Sequence, residues 1–409
     1  MVNLGFKYKI DDLYIPNGMP TEIVNKMKLL VEPRDVFENG CNQAETNLEL
    51  PVTHIHHYKN LLSSYGIEYQ EVMIDEIDSP YYYVIAPYGS QRGFIGLPQD
   101  GEVKQITCNF VELMPDKVKS DIRNNKCKVL LDGLTEGHPF SHEWTNRLHK
   151  ILDDEKISRN SVYYLTCNNK FEFDYRNHYG GENLINLVSI NYFELNLYDT
   201  YSKYFELDKP KQDVVKREKF FMSLNRAERQ HRTDLIKFLK KENLVEKGYV
   251  SYWPMKLYLD TNFVDNDHLV STSDDLMEDI SGVKFYENSY FNIVTETFFY
   301  EDSLFISEKI FKPILFKQPF LVYSSPFTLK ELHKLGYKTF SKIIDESYDT
   351  EINNLKRRSM IESEIKKLCS LDLDEIHDVY LSLSDVYEHN FTHFTKLIDR
   401  GLDESIYRI

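Results

Sequence analysis

Cysteine is scarce in this chain of 409 residues, and what there is does not pair. Cys41, Cys108, Cys127, Cys167 and Cys369 are an odd number, widely spaced, with no C-x-x-C among them. They read as reduced, buried thiols in a reducing compartment. Long apolar runs are missing too, and none approaches the roughly 18–20 residues that a bilayer span requires. The opening MVNLGFKYKIDDLY lacks the apolar h-region of a secretory leader, so a cytoplasmic location without membrane insertion is expected. Positive charge is in deficit: 49 Lys and Arg stand against 65 Asp and Glu, for a net charge of −16. A continuous basic face for nucleic acid or for an anionic membrane is therefore not the expectation. There is no G-x-G-x-x-G, G-x-x-x-x-G-K-[ST], H-E-x-x-H or G-x-S-x-G. That removes dinucleotide oxidoreductase, P-loop, zincin and serine-hydrolase elbow readings. HIHH at 54–57 puts His54 and His56 on one strand face, but no neighbouring acid or cysteine completes a ligand set.

Aromatic residues, in contrast, abound, with 29 Tyr and 25 Phe. At 42 % apolar residues the chain has ample material for large cores. IEYQEVMIDEI and YYYVIAPYG, between 67 and 97, look like strands bounded by Pro and Gly. KCKVLLDGL (126–134) is an apolar strand, TEGHPFS a loop, HEWTNRLHKILDDE (142–155) a helix capped by Ser141, and SVYYLTCNN (161–169) a strand. Strand, loop, helix, strand is the βαβ rhythm of a parallel sheet. It restarts after the charged stretch ELDKPKQDVVKRE (206–218), with strand KFFMSLN (219–225), helix HRTDLIKFLKKENL (231–244) and strand GYVSYW. The fold class is thus α/β, with two Rossmann-like domains facing a cleft. Helical spacing in 376–400 predicts final helices that pack back toward the first domain.

Two stretches of the second half point to an anion. In FISEKIFKPILFKQPFLVYSSP (305–326), Ser307 caps a helix with Glu308 and Lys309 in its first turn and Ile310, Phe311, Ile314 and Leu315 on its buried side. The first N–H groups of a helix carry the positive end of its dipole, so Lys309 there is unfavourable unless an anion faces it. A diphosphate would supply that anion, and Glu308 could accept sugar or ribose hydroxyls beside it. A solvated helix end accounts for the same three residues without a ligand. The other stretch is the loop after 219–225, where Arg226, Arg229, His231 and Arg232 stand between a strand's carboxyl end and a helix start. Residues 216–241 hold nine Lys and Arg against three acids. Lys237, Lys240 and Lys241 fit a solvated helix face, whereas the loop arginines match phosphate oxygens.

FFMSLNRAERQHR (220–232), FYENS (285–289), TET (295–297), ISEKIFKPI (306–314), QPFLVY and LGYKTF…DESYD (335–349) follow in that order. Together they resemble the donor-binding domain of GT-B glycosyltransferases, closest to the fucosyltransferase-like group and to related bacterial and phage enzymes. The resemblance covers roughly residues 219–350 and implies a GT-B fold. Acceptor binding would fall to 1–205, nucleotide-sugar binding to 219–370 and the closing helices to 371–409. It places Asn225, Arg226, Arg229, Arg232, Glu287, Asn288, Ser289, Glu296, Ser307, Glu308 and Lys309 at the donor site. One departure is that Thr295-Glu296 is followed by Thr297, with the Glu-Lys pair well downstream, which leaves the sugar open.

The implied function is transfer of a sugar from a nucleotide-diphosphate donor to an acceptor hydroxyl. Lys309 and the loop arginines would stabilise the leaving diphosphate. Protein cations replace a divalent metal in this reading, so no metal and no cofactor beyond the sugar nucleotide is expected. Residues 219–370 have no Asp-x-Asp beyond Asp265-Asn266-Asp267, which reads as loop. Glu136 is the first candidate for the base, with His138 beside it in the TEGHPF loop. A loop carboxylate that merely caps the following helix is the plainer account of Glu136. Glu301 and Glu308 have six residues between them, one short of the spacing seen in retaining GT-B enzymes, so inversion is expected. A glycan is the expected acceptor. The alternatives are hydroxylated bases of phage DNA, which would place the protein in a host cytoplasm, and a nucleotide-binding interaction protein without catalysis.

Overall fold

The computed structural model describes residues 2–6, 69–73, 80–85, 110–111, 114–134, 137–205, 215–225, 227–257 and 283–397. HIHH, Cys41, Cys108, Glu136, Arg226, Asp265-Asn266-Asp267 and residues 206–214 of the expected linker lie outside them. The chain divides into two compact units after Tyr192. Among the described residues no helix is long and apolar enough to cross a membrane.

The first unit carries β1 (Val2–Phe6), β2 (Tyr69–Met73), β3 (Tyr81–Ile85), α1 (Asp116–Arg123), β4 (Cys127–Gly133), α2 (His142–Asp154), β5 (Val162–Thr166), α3 (Phe171–Tyr179) and β6 (Asn186–Ser189). Its strands form one sheet in the order β2-β1-β3-β4-β5-β6, parallel throughout. A parallel sheet covered on both faces asks for continuous rather than alternating apolar strands, and VYYLT of β5 is buried at every position. α2 forms where its spacing predicts. Ser141 Oγ accepts the N–H of Trp144 at 3.3 Å, and Trp144, Leu148, Ile151 and Leu152 enter the core with Val129 and Leu131.

The second unit holds α4 (Tyr192–Phe205), β7 (Lys219–Asn225), α5 (Gln230–Lys241), β8 (Gly248–Tyr252), α6 (Val283–Glu287), β9 (Ser289–Thr295), α7 (Glu308–Leu315), β10 (Phe320–Tyr323), α8 (Thr328–Lys334), α9 (Asn354–Cys369), α10 (Leu373–Ser382) and α11 (Ser384–Thr395). Here the order is β10-β9-β7-β8, again all parallel. From β7 the chain steps to β8 on one side, then returns to lay β9 and β10 on the other. The strand order therefore reverses between β7 and β9. Open α/β sheets bind ligands outside the carboxyl ends of the strands at such a reversal.

Among the described residues a large core runs from Phe221 and Leu235 through Ile310, Phe311 and Leu321 to Ile361 and Phe394, with a smaller cluster of Met222, Phe285 and Tyr286. The tail helices, expected to turn back toward the first domain, pack in their described part on the second unit itself. α9 lies on β10, α10 on β7 and β9, and α11 on α7.

Candidate functional site

Register builds the site. Lys219 pairs with Ser289 and Met222 with Asn292, so Asn225 and Thr295 end their strands side by side. Thr295 Oγ1 donates to Asn225 Oδ1 at 2.5 Å, across the reversal point. Asn225 is fully buried, and its remaining groups meet Ser251 Oγ at 3.2 Å and Ser223 Oγ at 3.0 Å. The two strand ends are locked, and the loops leave them in opposite directions.

Glu296 follows Thr295 and is fully buried. Its carboxylate accepts the Ser307 N–H at 3.0 Å and the Ser307 hydroxyl at 2.5 Å. Ser307 Oγ in turn accepts the Lys309 N–H at 3.3 Å, which caps α7, and lies 3.3 Å from Lys309 Nζ. Lys309 Nζ also reaches Glu308 Oε1 at 2.8 Å. Burial acts to raise the Glu308 carboxyl, but the charges of Lys309 and Lys312 outweigh it and hold the group down at about 2. Glu296 goes the other way, raised by burial against the pull of Lys309 and the Ser307 hydroxyl. The two carboxyls are thus shifted in opposite directions, and the lowered one, Glu308, stands beside the lysine.

The loop arginines divide. Arg229 precedes α5 and is exposed. Arg232 is buried and turned inward, with Nη2 donating to Thr295 O and Nη1 to Ala227 O, each at 3.3 Å. His231 Nε2 lies 2.9 Å from Glu296 O. The start of α5 therefore grips the Thr295-Glu296 turn from one side while Ser307 grips it from the other. Arg232 closes the loop through backbone carbonyls, a use that sequence position alone does not reveal.

Glu287, Asn288 and Ser289 are not brought to this edge. They sit at the start of β9, and Ser289 is six residue steps from Thr295, about 20 Å. Asn288 O receives the N–H groups of Glu218 and Lys219. Ser289 is buried, donating to Phe285 O at 2.6 Å and accepting from Gln318 Nε2 at 2.8 Å. LGYKTF and DESYD also hold backbone. Asp349 accepts the N–H groups of Leu329 and Lys330 at 2.8 and 3.1 Å, and Glu346 accepts the Thr339 hydroxyl and the Phe340 N–H, each at 2.7 Å.

Arg357 is a group that sequence reasoning missed. It is 1 % exposed, and its guanidinium donates to Ser324 O at 3.1 Å, Phe299 O at 2.5 Å and Glu351 O at 2.9 Å. It ties down the loops that follow β9 and β10. In the first unit His138 is half-buried, and its carbonyl accepts Asn168 Nδ2 at 2.9 Å. Among the described residues no group of three or more His, Cys, Asp or Glu side chains could hold a metal ion.

No family model matches the chain, and no curated protein matches it. Two solved structures are similar to it. One is a mutant of T4 phage BGT in complex with UDP-glucose, with 12 % identity, a TM-score of 0.35, and coverage of 84 % of this chain and 93 % of that one. The other is the DNA-modifying enzyme β-glucosyltransferase with and without uridine diphosphoglucose, with 12 % identity, a TM-score of 0.36, and coverage of 86 % and 95 %. By its own sheets and their flanking helices, the chain is an α/β protein of two parallel-sheet units.

Proposed function

We propose that the chain is a nucleotide-sugar-dependent glycosyltransferase of the GT-B type, inverting and metal-independent, which transfers to a glycan hydroxyl. The observation that carries this reading is the meeting of the Ser307-Glu308-Lys309 turn with the ends of β7 and β9 at the sheet's reversal point. A cation at a helix N-terminus, with an ionised buried carboxylate beside it, suits a ligand that combines a diphosphate with sugar hydroxyls. In this proposal Lys309 and the first N–H groups of α7 bind the diphosphate, Arg229 reaches it from the loop, and Glu308 accepts ribose or sugar hydroxyls. Arg232 and Glu296 shape the turn and do not touch the donor. As the bond from the anomeric carbon to phosphate breaks, negative charge grows on the departing diphosphate and these cations stabilise it. The acceptor binds the first unit, and its proton passes to Glu136 or His138, the two candidates that the sequence offers.

The test is a panel of UDP-, GDP-, CMP- and dTDP-sugars with oligosaccharide and hydroxymethylated-DNA acceptors, read as release of nucleotide. Release of a nucleoside diphosphate with one donor, raised by a glycan acceptor, is the expected result. Nucleotide binding without hydrolysis or transfer would favour an interaction protein, and transfer to DNA alone would move the acceptor.

A further inference from the structure

The stretch LGYKTF…DESYD (335–349) closes around one buried hydroxyl. Thr339 is 7 % exposed, and its Oγ1 stands between two titratable groups. His333 Nε2, from the last turn of α8, lies 3.1 Å away on one side. Glu346 Oε2, from the turn Glu346–Thr350, lies 2.7 Å away on the other. The second ring nitrogen, His333 Nδ1, is 3.1 Å from Tyr337 O. The second carboxylate oxygen accepts the Phe340 N–H at 2.7 Å.

These contacts fix a proton count. A carbonyl only accepts, so Nδ1 must carry a hydrogen. Three contacts in series, from Tyr337 O through the ring and the hydroxyl to the carboxyl, need three hydrogens. A neutral imidazole brings one and the threonine hydroxyl another. The third is a proton from solvent. Placed on Nε2, it leaves Thr339 donating to an ionised Glu346. Placed on Glu346, it lets the carboxyl donate to Oγ1 while the hydroxyl donates to Nε2. Both arrangements complete the series. Without that proton the hydroxyl serves one side only, and lone pairs face each other across the other contact.

Burial raises the Glu346 carboxyl against the pull of the Thr339 hydroxyl, the Phe340 N–H and His333, and neighbouring Asp349 acts in the same direction as burial. Asp349 is itself raised by burial, against the N–H groups of Leu329 and Lys330 and the charges of His333 and Arg357. On α8, Glu331 pairs with Lys334 at 2.6 Å. On α9, Glu364 accepts the Asp345 N–H at 3.0 Å. From α11, His389 and His393 face the carbonyls of Gly336 and Leu335 at 3.0 and 2.7 Å, and Asp385 takes up Lys342 at 2.8 Å with Lys338 nearby.

We propose that His333, Thr339 and Glu346 share a single proton that latches α8 to the Glu346–Thr350 turn, and that rising pH releases the latch. The same turn carries Asp349, whose carboxylate accepts the N–H groups of Leu329 and Lys330 and whose backbone oxygen accepts the Phe327 N–H at 2.7 Å. Release therefore reaches the loop after β10. The proton belongs to the series and not to either end. An unfolded histidine gives up its proton near 6.5, whereas the folded series holds the shared one beyond that value. The stability it contributes is full below about pH 6.5 and is lost as pH rises through the point where the folded series lets the proton go.

Urea unfolding between about pH 6 and 8 tests the latch. The wild-type folding constant should fall by up to about tenfold per pH unit above about 6.5, as one proton leaves on unfolding. Glu346→Gln supplies the third hydrogen permanently: its amide donates to Oγ1, its carbonyl accepts the Phe340 N–H, and the hydroxyl donates to Nε2. This variant should lose the pH dependence and exceed wild type by about threefold or more at about pH 8. In a Thr339→Val background the Glu346→Gln exchange should change stability by one factor at every pH. Glu346→Gln trailing wild type equally at both ends of the range, or a wild-type slope that survives in Thr339→Val, overturns the proposal. Independently of any variant, nitrogen chemical shifts of the His333 ring should show Nδ1 protonated throughout, and a proton on Nε2 alone overturns the count.

Discussion

The Ser307 hydroxyl donates to the Glu296 carboxylate at 2.5 Å, and the Ser307 amide donates to the same carboxylate at 3.0 Å. One residue therefore caps α7 and anchors that helix to the end of β9. The candidate site depends on this joint, because it sets where Glu308 and Lys309 stand. Ser307→Ala removes a cap, which costs about 0.5–2 kcal/mol, and leaves a buried carboxylate short of a donor, about 1–3 kcal/mol more. Urea unfolding should show the second unit less stable by about 1.5–5 kcal/mol, given these two contributions.

Arg357 makes a sharper stability prediction. Its guanidinium satisfies carbonyls of Phe299, Ser324 and Glu351 at a site 1 % exposed. Arg357→Met keeps much of the volume but leaves those carbonyls in need of partners. The expected loss is about 3–5 kcal/mol. Arg123, whose pair with Glu155 has both side chains over a third exposed, should tolerate alanine within about 0.5 kcal/mol. Denaturant midpoints of the two variants check the contrast.

Two buried histidines predict acid sensitivity. Burial lowers His231 to about 3 and His149 to about 4, whereas an unfolded histidine titrates near 6.5. Below that value the unfolded chain takes up protons that the folded chain refuses, so stability falls as pH drops from about 6.5 toward the folded values. Both rings should stay neutral at pH 5 by NMR, and His231→Gln should flatten the pH dependence of unfolding between about pH 6.5 and 4.

Phe327 stands in the left-handed region, with φ 69° and ψ 12°, and its side chain is 40 % exposed. A bulky residue is strained there, while asparagine is not. Because the ring buries only part of its surface, Phe327→Asn should leave stability unchanged or raise it by up to about 1 kcal/mol. A loss beyond about 1 kcal/mol by thermal or urea unfolding would mean that the ring's packing outweighs the backbone strain.

Much of the second unit was legible because its signals are local. KFFMSLN forms β7 to the residue, Ser307 caps α7 as its position predicts, and Ile310, Phe311, Ile314 and Leu315 form the buried side. What was not legible depends on which strands become neighbours. Glu287-Asn288-Ser289 resembles a site motif in sequence, but only the register shows it at the amino end of β9. Arg232 looks the same in sequence as the exposed Arg229, and its inward turn follows from carbonyls that other loops present. Arg357 lies in a helix whose pattern gives no sign of a buried guanidinium, since its partners come from three separate loops.

The central claim is that Lys309 stands at a diphosphate site, and equilibrium binding of a nucleoside diphosphate tests it most directly. Wild type should bind, Lys309→Arg should bind within about threefold, and Lys309→Ala should lose at least about tenfold, the scale of a charge-assisted hydrogen bond. Melting curves establish that each variant is folded at the titration temperature. Equal affinity of Lys309→Ala and wild type, or no binding by wild type to any nucleoside diphosphate, would contradict the account.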